Sequence, residues 1–159
     1  MSVMTHPSGA IVLRPGEGRT IDLGTFGMSV KASGADTDGL LSLLESDEPP
    51  DFGPPMHIHH DCAEVFYVLA GEYRIFIGDD DWDCPAGSFI YIPLGVPHGF
   101  RVGSQRSSKL NLYTPGAMVG YFDDLSDAIR IGEPNPAVVS EIGRRHAVEV
   151  VGPVPEGYL

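Results

Sequence analysis

Four residues with metal-binding side chains stand in a close pattern: His57, His59 and Glu64, followed further along by His98. Neutral imidazole and carboxylate are ligands for first-row divalent metals. One residue separates His57 from His59, and side chains at i and i+2 of a strand point to the same face. Three imidazoles and a carboxylate fill four coordination positions and leave room for water, O2 or a substrate. The expected cofactor is one divalent transition metal, from among Fe, Ni, Mn, Co, Cu and Zn. Such an ion activates O2 or a bound enolate, or acts as a Lewis acid on a carbonyl.

The segments around these residues must position them. Val65-Phe66-Tyr67-Val68-Leu69 is a β-branched and aromatic run, the mark of a strand buried on both faces. Glu64 heads it, and a carboxylate entering an apolar core is costly unless paired or bound to a metal. Gly71 ends it. Residues 87–100 read as strand, tight turn and strand, with Pro93, Gly95 and Pro97 in the turn and His98 opening the next strand. Strand parity places Phe66 and Val68 on the face of Glu64, and Phe100 on that of His98. The metal then looks into a pocket with apolar walls, suited to a small, largely apolar molecule. Tyr113 joins the expected pocket, with Met118 and Phe122 at its mouth.

Other polar or aromatic residues are read more plainly. Cys62 lies inside the motif, but the His/Glu set is complete without it. His60 faces outward, and His6 and His146 fall in a tail and a helix end. Tyr73 and Tyr91 are expected to pack, Trp82 to sit in the core or an interface, and Asp79-Asp80-Asp81 to form a solvated turn.

Short strands are expected over 10–13, 20–23, 26–32, 40–45, 64–70, 72–78, 82–84, 88–92, 98–103 and 107–113, with a Pro-rich loop over 47–55. That spacing describes an all-β sandwich or barrel. Apolar residues at 118, 121, 122, 125 and 129 then predict a helix over 117–130. Asn135-Pro136 reads as N-cap and first residue of a second helix, to about 145. The expected organisation is a tail (1–9), a β-barrel (10–115) and a helical segment (116–159) packed on that barrel within the same domain.

The chain has 159 residues, with 22 acidic against 10 basic and a net charge of −12. That balance argues against nucleic acid and anionic membranes as partners. No run approaches the ~18 apolar residues of a membrane span. The first seven residues lack the basic and apolar regions of a leader peptide. With two cysteines, Cys62 and Cys84, a cytoplasmic protein with reduced thiols is expected.

The two metal-bearing segments resemble the paired motifs of the cupin superfamily. His57, His59, Glu64 and Gly71 match the first, H-x-H-x(3,4)-E-x6-G, and Gly87, Pro93, Gly95 and His98 match the second, G-x5-P-x-G-x2-H. Gly53 stands closer to His57 than the opening glycine of the first motif does, and Val102 occupies the place of a common asparagine. The resemblance implies a small double-stranded β-helix, the jelly roll, with the metal inside its mouth. The wider layout, a single barrel followed by Thr114-Pro115-Gly116 and a helix bearing Tyr121 and Phe122, is similar to bacterial quercetin-2,3-dioxygenase-type cupins. This implies an enzyme: a metal-dependent dioxygenase acting on an enolisable aromatic molecule, with Glu64 both ligand and catalytic base. Two alternatives carry the same motifs: a zinc cupin that cyclises or isomerises polyketide-like substrates, and a sensor that binds without turnover. The resemblance also implies a homodimer joined through the sheets, which covers edge strands.

Overall fold

The computed structural model describes residues 5–153. Eleven strands follow one another: β1 (Arg19–Asp22), β2 (Gly27–Ala32), β3 (Ser42–Glu48), β4 (Met56–His59), β5 (Ala63–Ala70), β6 (Glu72–Ile77), β7 (Asp80–Pro85), β8 (Phe89–Ile92), β9 (His98–Val102), β10 (Ser107–Thr114) and, after two helices, β11 (Val148–Gly152). They form two antiparallel sheets, one in the order β1-β2-β3-β10-β5-β8 and the other β11-β4-β9-β6-β7. This is the expected all-β jelly roll with two C-terminal helices, and its core lies between the sheets.

The hairpins follow from local chemistry. Gly71 joins β5 to β6 at φ +74°, and a Cβ there would stand 2.1 Å from Ser107 Oγ. Only glycine tolerates both the dihedral and the close approach. Gly95, also at positive φ, donates its N–H to the His59 carbonyl at 2.8 Å. The turn that delivers His98 is thereby tied to the strand carrying the other two histidines.

The helices are α1 (Val119–Ile131) and α2 (Pro136–Arg145). Asn135 caps α2, its side chain accepting from Val138 N at 2.9 Å. Arg19 grips Asp123 through two hydrogen bonds of 2.8 and 3.0 Å, holding α1 to β1. His146 Nε2 lies 2.7 Å from Asp124 Oδ2, so this histidine clasps the two helices together and is not a bland helix end. Among the described residues, no helix is long and apolar enough to cross a membrane.

The structure departs from sequence expectation in several places. Residues 10–13 form no strand; Ile11 makes a single bridge to Thr5, closed by a local turn. Residues 1–4 of the expected tail lie outside the described residues. β3 starts at Ser42 and runs through Glu48, into the stretch expected to be loop, because β2 and β10 flank it on both sides. Asp80 and Asp81 belong to β7, paired with Ile77 and Phe76. Trp82 stands outward on that edge strand, half exposed, and is not core. Tyr67 and Leu69 are exposed too: β5 is buried on one face only, because no further layer covers the outside of its sheet. Residues 148–153 are expected from sequence to be a short extended piece, and Val148–Gly152 do form a strand, β11, hydrogen-bonded directly to β4.

Candidate metal centre

His57 and His98 are direct partners across β4 and β9. Glu64 comes from β5, in the opposite sheet. The cluster therefore spans the barrel from one sheet to the other, where His59 completes it. One ligand atom from each of His57, His59, Glu64 and His98 lies within 4.8 Å of the others. Two donors on one ion with bonds of ~2.0–2.2 Å stand at most about 4.3 Å apart, so only a small contraction is needed. Cys62 is not part of the group. It is buried in the apolar cluster beside Tyr113 and Met118, and burial pushes its thiol up to about 12.

Hydrogen bonds orient two of the imidazoles. His57 Nδ1 lies 2.8 Å from the Pro55 carbonyl and His98 Nδ1 lies 2.8 Å from that of Val96. A carbonyl only accepts, so each Nδ1 carries its proton and each Nε2 lone pair is directed inward. His98 Nε2 then meets Glu64 Oε1 at 2.9 Å. Two acceptors do not approach that closely unless a proton or a cation lies between them. His59 makes the same demand: Nε2 stands 3.2 Å from Glu64 Oε2, yet both its ring nitrogens are buried without a hydrogen-bond partner. Buried polar atoms are rarely left so. A divalent ion held by the cluster would take up the Nε2 that faces Glu64, and the borderline donor set fits first-row metals.

The electrostatics agree. Burial works against ionisation of Glu64, but the imidazoles of His59 and His98 outweigh it and hold the carboxyl well below its ordinary range. Burial, then the neighbouring charge of His98, lowers His57 to about 3. His98 is lowered by burial but raised more by Glu64, so its net shift is upward. Burial and Glu64 together raise Tyr113 well above its ordinary value, which keeps its hydroxyl protonated.

A cavity of about 110 Å³ opens on this cluster. Phe66, Phe100, Tyr113, Met118 and Phe122 line it, as their strand and helix phases suggest. Val68 does not. It lies deeper on β5, fully buried against the aromatic and aliphatic side chains of the second core cluster. Tyr91 is exposed on β8, and Tyr73 is buried with its hydroxyl donating to Glu48 Oε1 at 2.9 Å. Tyr121 and Leu125 of α1 also line the cavity, so the helix forms part of its wall.

Residues 44–112 match the Cupin domain family. These residues form a cupin domain. Both metal-bearing segments of the cupin fall inside the matched residues, whereas Tyr113 and the α1 side of the pocket fall outside them. The cupin is 27% identical over 123 residues to the quercetin 2,3-dioxygenase of Bacillus subtilis (strain 168), an alignment covering 76% of this chain and 36% of that protein. It thus spans about a third of that relative's length. Among solved structures it resembles an RmlC-like cupin from Shewanella frigidimarina NCIMB 400, with a TM-score of 0.58 at 16% identity over 65% of this chain and 89% of the other. It also resembles the polyketide cyclase RemF from Streptomyces resistomycificus, with a TM-score of 0.51 at 24% identity over 62% and 69% of the two chains.

Sequence reasoning missed three polar residues on the pocket wall: Glu48, Lys109 and Asn111. On β10, Lys109, Asn111 and Tyr113 are buried, and Leu110 and Leu112 alternate with them on the other face, only half buried. The clue was Tyr113 itself. Once it is placed in the pocket, period two carries Asn111 and Lys109 to the same face.

Proposed function

We propose that this cupin is a metal-dependent dioxygenase of the quercetinase type, acting on a compact enolisable phenol or similar small molecule. The observation that carries the reading is the His57/His59/Glu64/His98 cluster beside a largely apolar cavity. Similarity to a quercetin 2,3-dioxygenase adds to it. The ion would be held by those four side chains and would supply a Lewis-acidic, redox-capable centre for substrate and O2.

The chain's own residues do the rest. Glu64 holds negative charge beside the donors and serves as the base for the substrate's hydroxyl proton. Tyr113, directly opposite Glu64 across β5 and β10, keeps its proton and offers a donor to a developing enolate oxygen. Phe66, Phe100 and Phe122 exclude water from the reacting groups. At about 110 Å³ the cavity is of the order of the ~150 Å³ void that takes up one benzene ring. A single-ring substrate suits that size better than a three-ring flavonol.

A second copy of the chain belongs to the same reading. Tyr67 faces Phe89 and Val65 faces Tyr91 on the outer side of β5 and β8, with β8 an open edge. Sedimentation of the native chain and of Phe89→Glu tests this: dimer for the first and monomer for the second is expected, and a monomeric native chain overturns it. A cytoplasmic setting with reduced Cys62 and Cys84 is likewise part of the reading.

The activity is tested by O2 uptake with a series of enolisable phenols on protein loaded separately with iron, nickel, manganese and cobalt. Uptake with at least one metal is expected, and its absence with every metal and substrate overturns the dioxygenase. Conversion without O2 would instead indicate a cyclase or isomerase, and tight binding without product a sensor.

A further inference from the structure

The pocket has a second polar end that the metal centre does not use. Lys109, Asn111 and Tyr113 form the inward face of β10. Tyr113 stands opposite Glu64, and Asn111 opposite Phe66. Lys109 is four residues further from the metal than Tyr113, about 13 Å along the strand. Lys109 and Glu48 are 1% and 2% exposed and pair at 2.7 Å. The ammonium also donates to Ser46 Oγ at 3.2 Å and lies 4.1 Å from the centre of the Phe100 ring. A buried ion pair contributes no more to stability than apolar residues of like volume. Packing alone does not account for one on a largely apolar wall.

The telling atom is Glu48 Oε2. Glu48 receives hydrogen bonds from Ser46 Oγ at 2.8 Å, Tyr73 OH at 2.9 Å and Lys109 Nζ at 2.7 Å, all on Oε1. Among the described residues, none falls on Oε2. Glu48, Lys109 and Asn111 line the same cavity as His57, His59 and Glu64. A carboxylate oxygen with unused acceptor capacity in a buried site calls for a donor. The adjacent ammonium can in turn donate to the same group. A hydroxyl meets both demands, since it donates and accepts.

We propose that Glu48, held in place by Lys109, is the recognition end of this pocket: it accepts a hydrogen bond from a hydroxyl on a single-ring molecule whose opposite, oxygen-bearing edge faces the metal centre. The inference rests on the metal-centre reading above and adds the chemistry of the far end. Selectivity follows, because a ligand without the hydroxyl leaves Oε2 desolvated and unpaired, and sites of this kind reject such analogues strongly.

The test uses the full chain, zinc-loaded and kept anaerobic, titrated by calorimetry with 3,4-dihydroxybenzyl alcohol and with 4-ethylcatechol. Both present a catechol edge, and they differ by one hydroxyl in place of a methyl group. The alcohol is expected to bind at least about tenfold more tightly. In the paired variant Glu48→Met/Lys109→Met, which strands neither charge, the preference is expected to fall to about twofold or less, with zinc content unchanged, the alcohol bound more weakly and 4-ethylcatechol, freed of the penalty of covering Oε2, bound no more weakly than by the native chain. A purely structural role would weaken both ligands alike and overturn the proposal, as would a preference that survives the variant. Should the variant not fold, the native comparison decides alone. Equal native affinities overturn this proposal and leave the metal-centre reading intact, and so does binding of neither ligand; failure of the native chain to take up zinc overturns the metal-centre reading.

Discussion

At the scale of single residues, the centre depends on nitrogens that have nothing else to do. His59 is the extreme case, with both ring nitrogens buried and unpartnered. His59→Ala should therefore drop bound metal from near one per chain to below about a tenth of that, measured by elemental analysis after gel filtration. Glu64→Gln keeps the shape but removes the charge and the base. It should lower kcat by roughly 10²–10⁴-fold with a much smaller change in KM. The buried ion pair gives a prediction about stability. Lys109→Ala leaves the Glu48 carboxylate unpaired and should cost about 3–5 kcal/mol in urea denaturation, whereas Glu48→Met/Lys109→Met should cost less than about half of that.

Acid should also act through these residues in the metal-free protein. His57 is lowered to about 3 from an ordinary value near 6.5, so the unfolded chain takes up a proton that the folded chain refuses. Its contribution is complete above pH 6.5 and is lost as pH falls towards 3. Glu64, also lowered, loses its contribution as pH falls below its ordinary 4.5. His98 is raised and works oppositely, contributing fully below 6.5 and losing that contribution at higher pH. Melting curves of the chelated protein between pH 6.5 and 4.5 should fall with acid, and His57→Gln should flatten the fall. An unchanged slope in that variant would refute the assignment.

At the scale of elements, the site is a meeting of parts that are distant in sequence. β4 and β9 bring three imidazoles from one sheet, and β5 brings the carboxylate from the other. The α1 helix then supplies Tyr121, Phe122 and Leu125 to the pocket. Phe122→Ala should raise KM about tenfold and leave metal content unchanged, with enzyme kinetics and elemental analysis as paired readouts. The metal-bearing residues were legible in sequence because ligand chemistry and strand parity are local. The Pro93-Gly95-Pro97 turn was legible for the same reason. The Glu48–Lys109 end was not. It depends on which face of β3 and β10 turns inward, and a lysine and a glutamate are residue types seldom expected in a barrel interior. The exposure of Tyr67 and Leu69 was hidden likewise, since composition does not tell whether a second layer covers a sheet.

At the scale of the whole molecule, the metal should act as a rivet between the sheets. A ligand that binds only the folded state stabilises it by about 2.7 kcal/mol at a hundred times its Kd. For a chain of this size that corresponds to a Tm higher by about 5–10 °C. Chelation should reverse the gain, and re-addition of metal should restore it, as followed by calorimetry. His57→Gln/His59→Gln should melt at the same temperature with and without metal.

The pairing of β4 with β11 has a further consequence for how the protein comes into being. His60, at the end of β4, meets Glu149 of β11 at 2.8 Å across 89 residues of chain. On the ribosome, the histidine-bearing strand emerges long before the segment that flanks it. Until then its edge is open and its imidazoles are not held in register. Contacts of such sequence separation form late and slowly. The histidine strand is thus expected to reach its final register only once β11, the last of the described strands, has docked beside it.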